Sequence, residues 1–164
     1  MTKTKAIITI DQLADYLIWK SLEGNDSLNL LKLQKLAYYS QAWHLALEKS
    51  PLVAEKFQAW VHGPVSRTLF DRFGSNGLYD TVTTEKLTKG FEPASLPASA
   101  IEFINSVLEE YGKFSGSQLE AMTHREDPWV VARKGYSSTQ RCEVEIDESL
   151  MASYYSARTT VHGS

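Results

Sequence analysis

The chain has 164 residues, 43% of them hydrophobic and 11% aromatic, which is enough apolar material for the core of one domain and leaves little room for a second. Its formal net charge of −3 comes from residues of both signs spread along the chain, so nucleic acid is not the expected partner. A single cysteine excludes an internal disulfide, and no apolar stretch approaches the about 18 residues of a membrane span, so we expect residues 1–164 to form a single cytoplasmic domain.

Two helices are predicted in the first third of the chain. The first begins at the capping box Thr9–Gln12 and ends at Gly24. The second runs from Ser27 or Asn29 to about Lys49. Because apolar side chains surround most of its circumference, the second helix is predicted to lie at the centre of the fold, covered from several sides.

Short elements and a long loop are predicted in the middle of the chain. Alternation of period two from Lys56 to His62 predicts a short strand. Gly63 and Pro64 are predicted to turn the chain, with Pro64 as the first residue of a helix that Gly74 ends. Residues 75–97 lack sustained periodicity and are predicted to form the longest loop.

Helices return in the last third of the chain. A long one is predicted from the capping-box spacing of Ser99 and Glu102, and a short one from a cap at Ser117. Another short helix is predicted from Asp127, followed by a strand over 142–146 that pairs with the first strand, and by a last helix. These elements predict a mainly α fold, a single compact helical domain around a central long helix with a minor two-stranded β element.

The residues that carry catalysis or bind metals in other proteins form no familiar pattern here. The four histidines, His44, His62, His124 and His162, lack metal-ligand spacing. There is no nucleophile elbow, phosphate loop or dinucleotide-binding fingerprint. Cys142 lies in a predicted strand and is interpreted as a buried, inert thiol. The sequence therefore favours a protein that is not an enzyme and needs no cofactor or metal.

Two segments, Ala59–Val65 and Thr123–Trp129, combine tryptophan, histidine and turn residues. In one interpretation they form a recognition surface, since tryptophan is enriched at binding hot spots. In the other they form a polar junction inside the fold, with each histidine hydrogen-bonded and each tryptophan in the core. The second interpretation is favoured, because tryptophan is usually heavily buried in a free protein.

Three motifs that stand in order along the chain carry a family resemblance. They are Leu30-x-Lys32-Leu33-x-Lys35-Leu36-x-Tyr38-Tyr39, then Phe57-x-Ala59-Trp60-x-His62-Gly63-Pro64-Val65, then Thr123-His124-x-Glu126-x-Pro128-Trp129, with Ile146 and Tyr154 after them. In this order and spacing they resemble the Panacea domain family, also called SocA-like antitoxins and first catalogued as phage-associated proteins. The resemblance spans about residues 28–155.

The resemblance implies an antitoxin that neutralises its toxin by direct protein–protein binding. Family members, many on phages and mobile elements, neutralise varied toxins, including nucleotide-modifying alarmone synthetases and a toxin aimed at the replication clamp. No enzymatic activity is established for the family. The implied partner is a cognate toxin encoded by a neighbouring gene. Because one member delivers its toxin to a protease as an adaptor, a protease or chaperone is an alternative partner.

The resemblance also implies site residues. The family-motif residues, structural or partner-binding, are Lys32, Lys35, Tyr39, Trp60, His62, Gly63, Pro64, His124, Glu126, Pro128 and Trp129. Four of these are expected to matter first for folding: Trp60, Gly63, Pro64 and Trp129. Candidate partner-binding residues, on or beside the long loop and the motifs, are Arg67, Arg72, Tyr79, Phe91 and Arg125. Many relatives carry Tyr where this chain has His62, a difference that does not identify the toxin.

Two other functions remain open from the sequence. A DNA-binding regulator would use Arg67 and Arg72 on the helix after Pro64 to reach phosphates, although the net acidic charge argues against it. A hydrolase or transferase would be built on His62, His124 and Glu126.

Overall fold

The computed structural model describes residues 5–73 and 77–161. Its helices are α1 (Ile10–Glu23), α2 (Leu30–Glu48), α3 (Arg67–Phe73), α4 (Ala98–Tyr111), α5 (Gly116–Thr123), α6 (Asp127–Ala132) and α7 (Glu148–Val161). Its strands are β1 (Gln58–Trp60) and β2 (Gly63–Val65), which pair antiparallel. The predicted fold class, mainly α with a minor two-stranded β element, is confirmed. No helix in the described part of the chain is long and apolar enough to cross a membrane.

Helix α2 lies at the centre of the fold, as predicted. Of its 19 residues, 16 are buried. It packs against α1, α4, α5 and α7, and also against β2. Its apolar residues on all sides are therefore explained by neighbours on all sides.

Polar side chains of α2 hold the backbone of segments that pack around it. Because a buried polar group needs a hydrogen-bond partner, each of these side chains fixes the position of one neighbouring segment. The bonds are Lys32 Nζ to Gly112 O (2.7 Å), Gln34 Nε2 to Ser66 O (3.0 Å), Lys35 Nζ to Pro64 O (3.0 Å) and Gln41 Nε2 to Val53 O (2.9 Å).

The predicted helix starts were right for α1 and α2. The Thr9 side chain accepts from the backbone of Gln12 and the Gln12 side chain accepts from the backbone of Thr9, which completes the capping box. Asn29 caps α2 through a bond from the Lys32 N–H. Both signals are local, since cap and partner lie three residues apart.

Two other predicted caps were wrong by two residues. Helix α4 begins at Ala98, one residue before Ser99, so that serine lies inside the helix. Helix α5 is capped by Ser115 instead of Ser117, because Gln118 stands three residues after Ser115 and forms a reciprocal capping box with it.

The largest correction concerns Pro64, which starts no helix. Gly63–Val65 is a strand, and α3 begins only at Arg67, after Ser66 accepts a bond from Leu69 N–H. The register places Pro64 opposite Ala59, next to the Trp60–Gly63 pair that closes a two-residue turn. At that non-hydrogen-bonded position in the ladder, the missing N–H of proline removes no bond.

The segment predicted as a second strand lies on the other side of β1. Ala59 N–H donates to Val144 O (2.8 Å) and Ile146 N–H donates to Phe57 O (2.8 Å). This pairing is a single bridge between Gln58 and Glu145, so the two-stranded sheet is the β1–β2 hairpin instead.

The described part of the long loop is attached to the start of α2. Val82 N–H donates to Leu28 O (2.8 Å), and Leu31 N–H donates to Leu78 O (2.7 Å). The predicted helix stop at Gly74 lies outside the described residues.

Candidate functional site

The three sequence motifs meet where α2, the β1–β2 hairpin and the start of α6 come together. We call this place the motif junction; it comprises Lys35, Tyr39, Trp60, Gly63, Pro64, Glu126 and Trp129. Three hydrogen bonds connect the motifs in pairs: Lys35 Nζ to Pro64 O (3.0 Å), Tyr39 OH to Glu126 Oε1 (2.8 Å) and Trp129 Nε1 to Trp60 O (2.8 Å). The structure thus places these motif residues in contacts within the fold.

Gly63 is buried at the centre of the junction with a φ of +102°, a conformation that favours glycine. A Cβ at this position would lie 2.5 Å from Lys35 Cε and 2.9 Å from Thr123 Oγ1. The backbone conformation and the absence of a side chain are therefore both required.

The Lys35 amine lies beneath this turn and is fully buried. Burial lowers the pKa of Lys35 to about 7, against the opposing effect of the Glu120 charge. Burial also lowers the pKa of Lys32, opposed there by Asp26. Near neutral pH the amine at the junction therefore exists in both charged and neutral forms.

The two motif histidines have different surroundings. His62 is 44% exposed at its side chain, and its Nδ1 lies 3.2 Å from Glu120 Oε2. His124 stacks on Trp129 with ring centroids 4.1 Å apart, and burial lowers its pKa, against the opposing charge of Glu120. Within the described residues, His124 Nε2 is buried without a hydrogen-bond partner.

At the motif junction, the Glu126 carboxylate is surrounded by tyrosine hydroxyls. Its Oε1 accepts bonds from Tyr39 OH (2.8 Å) and Tyr155 OH (2.7 Å). Burial raises the pKa of Glu126, partly opposed by these two bonds. The trio predicted for a hydrolase is therefore grouped differently here, because the carboxylate bound to His62 is that of Glu120.

Replacing Glu126 should separate its role as an acceptor from its charge. We expect Glu126→Gln to be at least as stable as the wild type at pH 7, because the amide oxygen accepts both hydroxyls and the amide carries no charge that burial would penalise. Glu126→Ala should lose about 2 kcal/mol, since two buried hydroxyls lose their acceptor. Urea unfolding measures both changes, and equal losses in the two variants would contradict this assignment.

The pH dependence of the same variants supplies the control. Because the folded state raises the pKa of Glu126, it holds the proton more tightly than the unfolded chain does. The stability contributed by this group should therefore fall as the pH rises above its ordinary value near 4.5, and Glu126→Gln should remove that fall.

Arg133 lies beside the motif junction, and sequence analysis missed it. Only 4% exposed, it donates from Nη1 to Ala59 O (2.8 Å) and from Nη2 to Ser137 O (2.7 Å). It follows Trp129 by four residues, the spacing that places two side chains on one helix face, which is the signal that would have indicated it.

The candidate partner-binding residues divide into exposed and structural ones. Tyr79 is 63% exposed and Arg125 is exposed, while Arg67 is partly exposed with its guanidinium 4.7 Å from the Trp60 ring. Arg72 instead pairs with two α1 carboxylates, and Phe91 is partly buried against the core. Arg72 and Phe91 thus make contacts within the fold, so Tyr79, Arg125 and Arg67 are the more accessible of the five candidates.

A search of the described residues finds no group of three or more His, Cys, Asp or Glu side chains placed to hold a metal ion. His62 and Glu120 form a pair, and the remaining carboxylate of the junction is bonded to tyrosines.

Comparison with known protein families gives a match to the larger part of the chain. Residues 33–130, more than half of the chain, match the family described as Antitoxin SocA-like, Panacea domain. No curated protein and no solved structure matches the chain. The match confirms the resemblance drawn from the three motifs, over a shorter span than the predicted 28–155.

Proposed function

Because the chain belongs to the SocA-like antitoxin family with a Panacea domain, we propose that it neutralises a cognate toxin by direct protein–protein binding. The family match is the observation that carries this proposal. The toxin is the product of a neighbouring gene, on a phage or other mobile element, and the pair acts in the cytoplasm.

The contacts of the motif residues support a binding role located outside the junction. Lys35, Tyr39 and Trp129 use their polar atoms within the chain, so the toxin meets exposed side chains elsewhere. The accessible surface is 8774 Å², of which a standard interface needs about 800 Å² per partner. A few aromatic or arginine anchors in such an area suffice for nanomolar affinity.

The structural role of Arg72 weighs against the DNA-binding alternative. Its guanidinium donates to Asp11 Oδ1 (2.9 Å) and to the buried Asp15, which leaves its charge satisfied inside the fold. A phosphate contact would have to break these ion pairs, so the recognition helix imagined from the sequence loses one of its two arginines.

Titration of the toxin's activity with this chain, in purified and protease-free components, tests the proposal. We expect inhibition that saturates near one equivalent, because blockade by a stoichiometric complex needs no further component. An equal concentration of an unrelated helical protein serves as the control. Absence of binding would contradict the proposal, and binding without inhibition would favour delivery of the toxin to a protease.

A further inference from the structure

Helix α6 has one face in the fold and one in solvent. Pro128 and Trp129 are buried on the inner side. Exposed residues on the other side occur at positions i, i+3, i+4 and i+7, counted from the start of the helix into the turn that follows it. These four residues, which we call the α6 outer face, are Asp127, Val130, Val131 and Lys134.

Neither the core nor helix propensity accounts for the two valines of this face. Val130 is 44% exposed and Val131 is 52% exposed. Valine is a poorer helix former than alanine, lysine or glutamate, because its branched side chain loses rotamer freedom in a helix. In a helix of only six residues, two exposed valines oppose helix formation and leave apolar surface in water.

Exposed apolar residues are concentrated in the stretch of chain that contains this helix and the residues after it. Of the seven large exposed hydrophobic residues in the described part of the chain, four lie between residues 130 and 144. Val144, 40% exposed, lies in the segment bonded to Ala59, whose N–H donates to Val144 O and whose carbonyl accepts from Arg133 (2.8 Å each). Val130 and Val131 lie side by side on one helix face, and adjacent exposed apolar side chains mark an interaction site better than scattered single residues do.

Several contacts on the inner side of α6 fix the helix to the motif junction and to neighbouring backbone. Trp129 Nε1 donates to Trp60 O, Arg133 donates to three backbone carbonyls, and the Arg133 guanidinium lies 5.2 Å from the Trp129 ring. A surface fixed in this way loses little conformational entropy when a partner binds, which raises affinity without new contacts.

The charges at the two ends of the face define what fits it. Asp127 stands on one side of the valines and Lys134 on the other, and neither forms an ion pair within the described residues. A partner that covers the valines must therefore present a basic group to Asp127 and an acidic group to Lys134, or it would leave both charges desolvated and unpaired.

We propose that the toxin docks on the α6 outer face through an apolar patch flanked by one basic and one acidic group. This inference rests on the proposed function and adds the surface and the chemistry of the partner. It also links the family motif to binding, because the buried Trp129 fixes the position of Val130 and Val131, which follow it in the helix.

The double variant Val130→Ala/Val131→Ala tests the docking face. Alanine removes apolar contact area but is the better helix former, so we expect the melting temperature to stay equal or rise while the affinity for the neighbouring gene product falls about tenfold or more. Isothermal titration calorimetry measures the affinity. Leu47→Ala, at a residue of α2 that is 50% exposed, is the matched control and should bind like the wild type.

A charge variant and the oligomeric state complete the test. Lys134→Glu should weaken binding, most at low salt, because it places like charges together. Wild-type affinity in the double variant would overturn the docking face and leave the proposed function intact, whereas a wild-type chain that binds no toxin would overturn both. The proposal would also be overturned if the wild type self-associates and the double variant does not, while toxin binding is unchanged. That result would assign the α6 outer face to contact with a second copy of the chain.

Discussion

Gly63→Ala should destabilise the chain by about 3 kcal/mol or more, enough to prevent folding if the wild type is only marginally stable. Two costs add at this position. A residue with a side chain lowers the stability by about 1–2 kcal/mol when its backbone is in the left-handed region. Overpacking a buried site lowers it by about 1–3 kcal/mol more. The new Cβ would lie 2.5 Å from Lys35 Cε, and that side chain is enclosed and cannot move aside freely.

Gly135→Ala is the matched control for this substitution. Gly135 also has a positive φ, +92°, but nothing lies within 4 Å of its Cβ position. It should therefore lose only the conformational part, about 1–2 kcal/mol. Denaturant unfolding of both variants measures the difference, and equal losses would show that the space beneath Gly63 is not limiting.

The start of α1 and the central helix α2 could be predicted because their signals are local. The capping box at Thr9 lies within four residues, and the apolar circumference of α2 is a property of that segment alone. The hairpin at Pro64 could not be predicted in the same way, since the backbone preference of proline suits the first turn of a helix and an edge strand alike. The bond from Lys35, 29 residues earlier in the chain, is a tertiary contact that favours the strand.

The site shows the same division between local and tertiary information. The three motifs named the residues of the junction, but the partners of Glu126 and His62 depend on how α2, α5 and α7 pack. The ion pairs of Arg72 could not be predicted, because the carboxylates that bind it lie 57 and 61 positions away in the sequence. Val130 and Val131 follow Trp129 in an unbroken apolar run, so the sequence does not indicate that they face solvent.

The stability of the wild-type chain should rise with pH between 7 and 9, by about 2 kcal/mol, and Lys35→Met should remove this rise. Burial lowers the pKa of Lys35 to about 7, whereas the unfolded chain holds the proton up to about pH 10.4. Across this window the unfolded state binds more protons than the folded state, so stability increases with pH by at most about 1.4 kcal/mol per unit.

The neighbouring groups confine the effect to this window. Burial lowers the pKa of His124, so that ring changes its charge below this window. Burial raises the pKa of Tyr38 and Tyr155, so the folded protein holds their protons more tightly than the unfolded chain does. These two hydroxyls therefore affect stability only above about pH 10, where the unfolded chain begins to release its tyrosine protons.

Urea unfolding at pH 7, 8 and 9 measures the rise, with Lys56→Met as the control. Lys56 is 49% exposed at its side chain, and its hydrogen bond with Glu148 raises its pKa, so its removal leaves the slope between pH 7 and 9 unchanged. A flat wild-type profile, or a slope that persists in Lys35→Met, would contradict this prediction. Either result would show that the buried Lys35 amine stays protonated in the folded state without lowering its stability. In that case the acceptor at Pro64 and the Glu120 carboxylate together would offset the desolvation of Lys35.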